Sequence, residues 1–368
     1  METTTVILDQ MVAPVPGGIG RYALNLVRAL STRVDGSRSL VGFVPRVSHE
    51  TVRQLEGFIP LLDGIDVSPF PRAVLARLWA RGVAVPTRHV TYSPSLFAPL
   101  AERGQHIVTI HDAVPWTHPE TLTSRGARWH RTMGERAQRF ADIVVVPTEA
   151  VASRLSTFLT LGDRIRVIGG APTSDLVVPV DSESRRSALG VPEVYVTFVG
   201  TLEPRKGLEQ LLIALASIEG ISLVVIGPQG WGGVSVDDLI TRTGIAPHRV
   251  RALGRLDDVD LAAVLSASRG LVVPSIEEGF GLPVLEAMAL GVPVIHSTAE
   301  ALSEVAGQSA IAVDIHGKFG TIKLAEALTG LDDETVRRDL ISRGRARAAE
   351  FSWDASAARL ASVFDELS

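Results

Sequence analysis

The clearest indication of the fold class of this 368-residue chain is the stretch P-S-I-E-E-G-F-G-L-P-V-L-E-A-M-A-L-G-V-P, residues 274–293. Proline suits a first helical turn because the amide hydrogen that it lacks has no partner there. Pro283–Leu290 is therefore predicted to be a short helix, which Gly291 ends just past its C-terminus. The flanking apolar runs, Gly270–Pro274 and Val292–Ile295, are typical of buried parallel strands. This order of strand, loop and helix indicates an open α/β sheet, where ligands bind at the carboxyl ends of strands.

Strands and helices alternate along the rest of the chain in the same way. In the first half the predicted strands are Thr4–Leu8, Ser39–Val44, His89–Tyr92, Gln105–Ile110 and Ile143–Val146, and the predicted helices include Arg21–Leu30 and Trp129–Phe140. In the second half the strands are Tyr195–Val199, Ser222–Ile226, Arg249–Ala252, Leu271–Val273, Val292–Ile295 and Ala310–Val313, and a helix is predicted at Leu208–Ser217. The alternation predicts two doubly wound parallel sheets in domains at residues 1–175 and 176–350. We expect a linker near residues 169–183 and a last helix, Trp353–Leu367 within residues 351–368, that packs back on the first domain.

Composition excludes several classes of protein. The chain has no cysteine, so neither disulfides nor thiolate chemistry is available to it. Its start lacks the basic and apolar regions of a signal peptide, and no apolar run reaches the length of a membrane span. No G-x-S-x-G, H-E-x-x-H or Walker sequence is present. Serine hydrolases, zinc peptidases and P-loop enzymes therefore lack support, and a cytoplasmic protein is expected.

Charge is distributed unevenly along the chain. Residues 1–178 hold 19 Arg and 15 acids, for a net charge of +4, whereas residues 179–368 hold 17 basic residues and 26 acids, for −9. Arg128, Arg131, Arg136 and Arg139 share the helix Trp129–Phe140 or its start, a pattern that most often marks a solvated face. The alternative is that the first half meets an anionic partner, such as a membrane surface or a phosphorylated acceptor.

Two acids, Glu278 and Glu286, flank the G-F-G turn of residues 279–281. Carboxylates accept hydrogen bonds from paired sugar hydroxyls, and the amides of Gly279, Phe280 and Gly281 would add donors at the helix N-terminus. One structural alternative is that Glu286 complements the helix dipole while Glu278 is solvated. A hydrolase with paired carboxyl groups also stays open, because the sequence does not give their separation.

A second loop, G-T-L-E-P-R-K-G at residues 200–207, places Arg205 and Lys206 between a strand and a helix. An arginine fork beside a lysine charge suits a diphosphate, and the helix N-terminus adds to the attraction. Solvated cations on a surface turn are the alternative. The glycine-rich turn of residues 14–20 contains Gly17 and Gly18, which would let backbone amides approach an anion or would simply form a tight turn.

His111 follows the predicted strand Gln105–Ile110, again at a carboxyl end. A histidine there can donate to a ligand hydroxyl or stabilise developing charge. The structural alternative is a histidine held by a neighbouring carboxylate such as Asp112.

Taken together, these segments resemble glycosyltransferase family 4, whose E-x7-E motif is similar to residues 278–286. The resemblance extends over nearly the whole chain and includes P-G-G-I-G-R-Y (16–22), V-T-I-H-D (108–112), A-D-I-V-V-V-P-T-E (141–149), V-G-T-L-E-P-R-K-G (199–207) and L-S-E-V-A-G (302–307). It implies the GT-B fold, with two Rossmann-like domains facing a cleft, the acceptor mainly on the first domain and the donor mainly on the second. It also implies a retaining nucleotide-sugar transferase that needs no metal.

The resemblance further implies a role for each motif residue. Glu286 would bind the donor ribose, and Glu278 with the amides of Phe280 and Gly281 would bind the transferred sugar. Arg205 and Lys206 would hold the diphosphate as it leaves, and His111 would lie beside the transferred sugar. The full set implied for donor binding is Gly17, Gly18, Gly200, Arg205, Lys206, Gly254, Arg255, Leu256, Glu278, Gly279, Phe280, Gly281, Leu282 and Glu286. The implied reaction is a front-face displacement in which the donor phosphate helps deprotonate the acceptor.

One departure from the family pattern bears on the donor. Many members have Arg directly after the glycine of the phosphate loop, whereas Thr201 follows Gly200 here. The E-P-R-K form resembles bacterial mannosyl- and rhamnosyltransferases of polysaccharide assembly, which favours GDP-mannose but leaves UDP- and dTDP-sugars open. We therefore expect a hexosyltransferase that acts on a glycan or lipid-linked saccharide for the cell surface, peripheral at the inner membrane face, with no nucleic-acid partner. A nucleotide-sugar epimerase and a nucleotide-sugar-binding pseudoenzyme are the alternatives.

Overall fold

A computed structural model of the chain describes residues 2–13, 17–33, 38–83, 90–317 and 319–367. These residues divide into two compact units. The first contains the residues up to 120, residues 124–170 and those from 352 onward; the second contains residues 121–123 and 171–351. Each unit is built around its own parallel sheet.

The first unit contains a sheet of seven strands. They are β1 (Glu2–Ile7), β2 (Arg38–Val44), β3 (Ile65–Val67), β4 (Val90–Ser93), β5 (Gln105–Thr109), β6 (Ile143–Val146) and β7 (Ile165–Val167). They are all parallel and lie in the order β3-β2-β1-β4-β5-β6-β7. The order reverses direction between β1 and β4, which is where doubly wound sheets bind ligands.

Helices connect the strands of the first unit. They are α1 (Gly17–Ser31), α2 (His49–Phe58), α3 (Arg72–Trp79), α4 (Val114–Thr117), α5 (Ser124–Phe140) and α6 (Glu149–Ser156). The predicted last helix also belongs to this unit and packs against α1, where the rings of Tyr22 and Trp353 meet edge to face 5.7 Å apart. Its Ser356 Oγ donates to Gly169 O over 2.7 Å, and its neighbour Glu366 pairs with Arg166. These contacts fix the last helix to α1 and to β7, the last strand of the first sheet.

The second unit contains a sheet of six strands. They are β8 (Tyr195–Val199), β9 (Ser222–Ile226), β10 (Val250–Gly254), β11 (Leu271–Val273), β12 (Val294–Ser297) and β13 (Ile311–Val313). The order is β10-β9-β8-β11-β12-β13, again parallel throughout, with its reversal between β8 and β11. The helices of the second unit are α7 (Ser182–Ala188), α8 (Leu208–Ala216), α9 (Val236–Thr243), α10 (Asp258–Ser266), α11 (Leu282–Ala289), α12 (Glu300–Ala306), α13 (Gly320–Gly330) and α14 (Glu334–Ala348). The last helix, α15 (Trp353–Asp365), belongs instead to the first unit. Short 3₁₀ turns occur at Asp9–Met11, Pro119–Thr121, Gly162–Arg164, Pro204–Lys206 and Pro247–Arg249.

The central strands are buried because helices cover both faces of each sheet. All four residues of β6 are buried, as are four of the five residues of β8. Continuous Val, Ile and Phe in these strands therefore face apolar side chains on either side. The predicted fold class, two doubly wound α/β sheets with a last helix returning to the first unit, is confirmed.

Some local predictions were wrong. The helix predicted from Arg21 begins at Gly17, so Gly17 and Gly18 form its first turn. Strands β3 and β7 were not predicted, because each has only three residues with a charged one in the middle. Residues 14–16 of the glycine-rich turn and His89 of the third predicted strand lie outside the described residues.

The sequence suggested that the arginines of α5 form a solvated face, but several of them bind other groups of the chain. Arg131 Nε donates to Pro115 O over 2.6 Å, and Arg136 Nη2 donates to Leu100 O. Arg136 and Arg139 both place their guanidinium carbon 4.8 Å from the centre of the Phe140 ring. Only part of this charge is therefore available to an external partner.

Candidate active site

The predicted carboxylate loop and phosphate loop meet at the carboxyl edge of the second sheet. One follows β11 and the other follows β8, the two adjacent strands between which the strand order reverses. Ile276 N donates to Arg205 O over 2.8 Å, which joins the two loops through their backbones. The topology thus brings together residues that lie about 70 positions apart in the sequence.

Gly207 makes the close approach of these loops possible. Its φ is +70°, and a Cβ at this position would lie 1.9 Å from Pro274 O. A side chain is excluded by that contact, and the left-handed backbone is itself unfavourable for other residues. The phosphate loop therefore ends in a glycine that lets α8 start directly beside the end of β11.

Glu278 lies at the centre of a cluster of charged side chains. Lys206 Nζ is 2.5 Å from its Oε1, and Arg205 Nη1 is 3.1 Å from its Oε2. Ser275 Oγ donates to Oε1 over 2.7 Å. The three charged side chains are each 10 to 17% exposed, so the alternatives in which the cations and Glu278 are solvated are excluded.

Arg205 is held on more than one side. In addition to Glu278, its Nη1 donates to Glu277 O over 2.8 Å, and its Nη2 is 2.9 Å from Glu203 Oε1. The Glu203 side chain is only 2% exposed. Arg205 thus ties the carboxylate loop to the phosphate loop, a role that the sequence did not indicate.

The cluster keeps Glu278 ionised. Burial alone would raise the pKa of this carboxyl, but the charges of Lys206 and Arg205, together with hydrogen bonds from Lys206 and Ser275, lower it to about 2. A carboxylate with this pKa accepts hydrogen bonds and does not serve as a general acid near neutral pH.

Two buried serines hold the carboxylate loop in place through hydrogen bonds. Ser297, the last residue of β12, donates from Oγ to Ser275 O over 2.5 Å, and Ser275 in turn donates to Glu278. Both serines are 1% exposed. Ser275, Ser297 and Glu203 are site residues that the sequence did not predict. The sequence offered one signal for two of them, since Ser275 and Glu203 lie inside the carboxylate and phosphate loop motifs.

Glu286 lies on α11, is 3% exposed and stands beyond the first turn of the helix, which holds no acidic residue, so the alternative in which it merely complements the helix dipole is not supported. Gly281 caps the start of α11 with φ +94° and without a side-chain hydrogen bond, and Leu282 is the first helical residue. The loop residues Gly279 and Phe280 are buried beside it. The helix N-terminus therefore lies at the same sheet edge as Glu278.

The remaining predicted donor residues of this unit also follow strand ends. Gly254 ends β10, and its carbonyl accepts from Gly227 N over 2.8 Å. Gly254 and Arg255 are exposed, while Leu256 is partly buried. Gly200 follows β8 and packs against Gly227, where a Cβ would lie 1.9 Å from Gly200 O.

His111 belongs to the first unit, just past the end of β5. Its Nε2 lies 2.7 Å from Pro94 O, which can only accept, so Nε2 carries the hydrogen. Tyr22 meets the imidazole edge to face at 4.9 Å. Burial lowers the pKa of His111, so Nδ1 is a hydrogen-bond acceptor at neutral pH.

The structure places three other residues of the first unit, Asp112, Gly17 and Gly18, differently from the alternatives. Asp112 does not hold His111 by a hydrogen bond; its Oδ1 accepts from Val114 N over 3.1 Å. Gly17 and Gly18 begin α1 and are exposed, with open space where a Cβ would lie.

No group of three or more His, Asp or Glu side chains that would suit a metal ion occurs within the described ranges. In the same part of the chain, no helix combines the length and the apolar character that crossing a bilayer requires.

Two family models together match most of the chain, one in each half. Glycosyltransferase Family 4 matches residues 16–171, and Glycosyl transferases group 1 matches residues 180–347. A relative from Escherichia coli, O-antigen chain mannosyltransferase B, is 29% identical over 362 residues, covering 92% of this chain and 93% of its own.

Solved structures share the fold over the full chain. Sucrose-phosphate synthase from Thermosynechococcus elongatus superposes with a TM-score of 0.78 at 23% identity, covering 100% of this chain and 99% of its own. HepE from Anabaena, in a complex with UDP-glucose, superposes with a TM-score of 0.76 at 19% identity, covering 100% of both chains.

Proposed function

Because the chain belongs to glycosyltransferase family 4 and is a glycosyltransferase, we propose that it transfers a hexosyl group from a nucleotide sugar to a glycan or lipid-linked saccharide, with retention of configuration. GDP-mannose is the favoured donor. The E-P-R-K form of the phosphate loop and the mannosyltransferase from Escherichia coli support this choice. The reaction is proposed to need neither a metal nor another cofactor.

The observation that carries this proposal is the cluster around Glu278 at the strand reversal of the second sheet. Glu278 is ionised and offers lone pairs beyond those used by Lys206, Arg205 and Ser275, so it would accept from hydroxyls of the transferred sugar. Glu286, buried on the adjacent helix, would hold the ribose. The base would lie against residues 254–256 at the end of β10.

The two cations would share the diphosphate unequally. Lys206 commits one of its three ammonium hydrogens to Glu278, which leaves donors for the leaving phosphate. Arg205 is already bound to Glu203, Glu277 O and Glu278. We therefore assign Lys206 to the stabilisation of the leaving group and Arg205 chiefly to the positioning of Glu278.

This arrangement favours transfer over hydrolysis by paired carboxyl groups. A carboxylate with a pKa of about 2 that is bound by two cations is a weak nucleophile and a weak base. Stabilisation of charge on the leaving diphosphate would then supply most of the catalysis. His111, with Nδ1 unprotonated, would accept a hydrogen bond from a hydroxyl of the transferred sugar.

The proposed location is the cytoplasm, with peripheral contact at an anionic membrane through the basic first unit. Since Arg131 and Arg136 bind carbonyls within the chain, their reversal would disturb the fold as well as the charge. Arg128 is exposed and is the better probe. Co-sedimentation with anionic vesicles should weaken in Arg128→Glu, and equal binding by this variant would argue against membrane contact through α5.

The donor can be identified by a thermal-shift screen with GDP-, UDP- and dTDP-sugars, since a ligand that binds only the folded state raises Tm. GDP-mannose should give the largest shift. Lys206→Ala should lower kcat by about 100-fold or more while the protein stays folded, as expected when a group that stabilises developing charge is lost. Lys323→Ala is the matched control, because Lys323 is 53% exposed and lies 3.8 Å from Asp314.

The alternatives predict different outcomes. An epimerase would convert the sugar of its nucleotide donor without an acceptor, and a pseudoenzyme would bind the nucleotide sugar without turnover. Full activity in Lys206→Ala would overturn the assignment of Lys206, and the absence of a thermal shift with every nucleotide sugar would overturn the proposed function.

A further inference from the structure

The first sheet has a cluster of its own at the point where its strand order reverses. Asp9 follows β1 and Ser95 follows β4, the two strands between which the reversal occurs. Arg72, at the start of α3 after β3, reaches the same place. Nothing in the family motifs quoted above includes these residues.

Arg72 grips Asp9 from one side. Its Nε and Nη2 lie 3.1 and 2.9 Å from Asp9 Oδ2, and Gln10 Nε2 donates to the same oxygen over 2.8 Å. Ser95 Oγ lies 3.5 Å from Oδ1. Asp9 is fully buried, so its carboxylate is a fixed anchor that cannot itself contact a substrate.

The guanidinium is held in place while staying accessible. Its carbon lies 4.7 Å from the centre of the Phe97 ring, and Phe97 is buried. The Arg72 side chain is nevertheless 45% exposed, and its Nη1 makes no hydrogen bond to any residue in the described ranges. One edge of the guanidinium is thus used internally, and the end that carries Nη1 can bind a ligand.

A contribution to folding stability does not account for the burial of Asp9 in the Asp9–Arg72 ion pair. A buried carboxylate carries a large desolvation cost, which one half-exposed arginine does not offset. Burial raises the pKa of Asp9 to about 6 despite the opposing charge of Arg72. Titratable groups whose pKa is shifted by burial and by a specific charged partner cluster at functional sites.

The second unit uses the same arrangement at its own strand reversal. There the buried carboxylate of Glu203 holds Arg205 beside the proposed donor site. In the first unit the buried carboxylate of Asp9 holds Arg72 beside Ser95, and the preceding residue, Pro94, binds His111. Arg72 and His111 therefore flank the same short loop at the ligand-binding edge of the first sheet.

We propose that Arg72 binds an oxyanion of the acceptor, a phosphate or a carboxylate group, and that Asp9 and Phe97 position its guanidinium. A planar fork with a fixed orientation suits the paired oxygens of both groups. The word acceptor rests on the proposed function; the oxyanion site itself rests only on the geometry of the first unit.

The test uses the full chain, saturated with the nucleotide that gives the largest thermal shift so that the donor site is filled. Inorganic pyrophosphate and glucuronate are titrated separately by calorimetry, which distinguishes a phosphate from a carboxylate as the bound group. At least one of them should bind the wild-type chain. Arg72→Gln should weaken that binding by about tenfold or more, as expected for the loss of charge-assisted hydrogen bonds.

Further variants separate positioning from folding. Arg72→Lys keeps the charge without the fork, and Asp9→Asn removes the anchor; both should weaken binding while the affinity for the nucleotide is unchanged. Arg139→Gln is the matched control, because Arg139 also pairs with a carboxylate, Glu102, and stacks on Phe140 but lies on α5. It should bind the probe like the wild type.

Two results would overturn the inference: no binding of either probe to the wild-type chain, or equal binding by Arg72→Gln and the wild type. If no nucleotide sugar shifts Tm, the proposed function fails. The same titrations are then run without nucleotide, and they still decide whether Arg72 binds an oxyanion.

Discussion

Replacement of Glu278 by Gln should destabilise the second unit in a way that depends on pH. The carboxyl has a pKa of about 2 in the folded chain and 4.5 as a free group. A lowered folded-state pKa means that the stabilisation is fully present above 4.5 and is lost as the pH falls through about 2. The difference corresponds to about 3 kcal/mol at pH 7. At pH 3 less than half of it, on the order of 1 kcal/mol, remains.

Scanning calorimetry at pH 7 and pH 3 measures this difference. At pH 7, Glu278→Gln should lower Tm by roughly 6 to 12 °C, the range expected for a unit of this size. Glu209→Gln is the control, because Glu209 lies 3.6 Å from Arg242 but both side chains are largely exposed, and it should cost less than about 0.5 kcal/mol. If Glu278→Gln melts like the wild type at pH 7, or if its deficit is the same at pH 3, the electrostatic account of the cluster is refuted.

Three further predictions concern a glycine, a serine and a histidine. Gly207→Ala should lower the free energy of unfolding by more than about 3 kcal/mol, or prevent folding, because its Cβ would overlap Pro274 O. Gly244 is the control: its φ is +72° but the space around it is open, so Gly244→Ala should lower the free energy of unfolding by about 1 kcal/mol. Equal melting temperatures for the two variants would contradict this prediction. Ser275→Ala should lower the transfer rate by about tenfold and lower Tm by a few degrees, because the buried Glu278 carboxylate loses a hydrogen bond, and an unchanged rate would show that Ser275 does not position it. The lowered pKa of His111 keeps the imidazole neutral at pH 7, so the rate should fall only as the pH drops below 6.5; this acid limb should disappear in His111→Asn, and its persistence would assign it to another group.

Sequence patterns were most informative where one physical effect dominates. Ile143–Val146 and Tyr195–Val199 were predicted to the residue because strands buried on both faces require continuous apolar side chains. The three-residue edge strands Ile65–Val67 and Ile165–Val167 carry no such signal. Their pairing is decided by neighbouring strands, which the local sequence does not show.

Residue types of the candidate site were also predicted, but their partners were not. The sequence indicated Glu278 as a hydroxyl binder and Lys206 as a phosphate binder, and these roles stay predictions. It did not indicate that the two side chains bind each other, because that contact spans 72 positions and depends on the adjacency of β8 and β11. Asp9 was missed for the same reason: its partner Arg72 is 63 positions away.

The return of α15 to the first unit sets the order in which the chain can mature during synthesis. Multidomain chains usually fold from the N-terminal end as they leave the ribosome. Here Trp353 packs on α1, and Ser356 donates a hydrogen bond to the carbonyl of Gly169. Both residues are synthesised after the whole of the second unit, so these contacts form last. A nascent chain that ends before Trp353 holds every residue of the second unit yet leaves the first unit's helical surface uncovered. The unit that is begun first is therefore completed last.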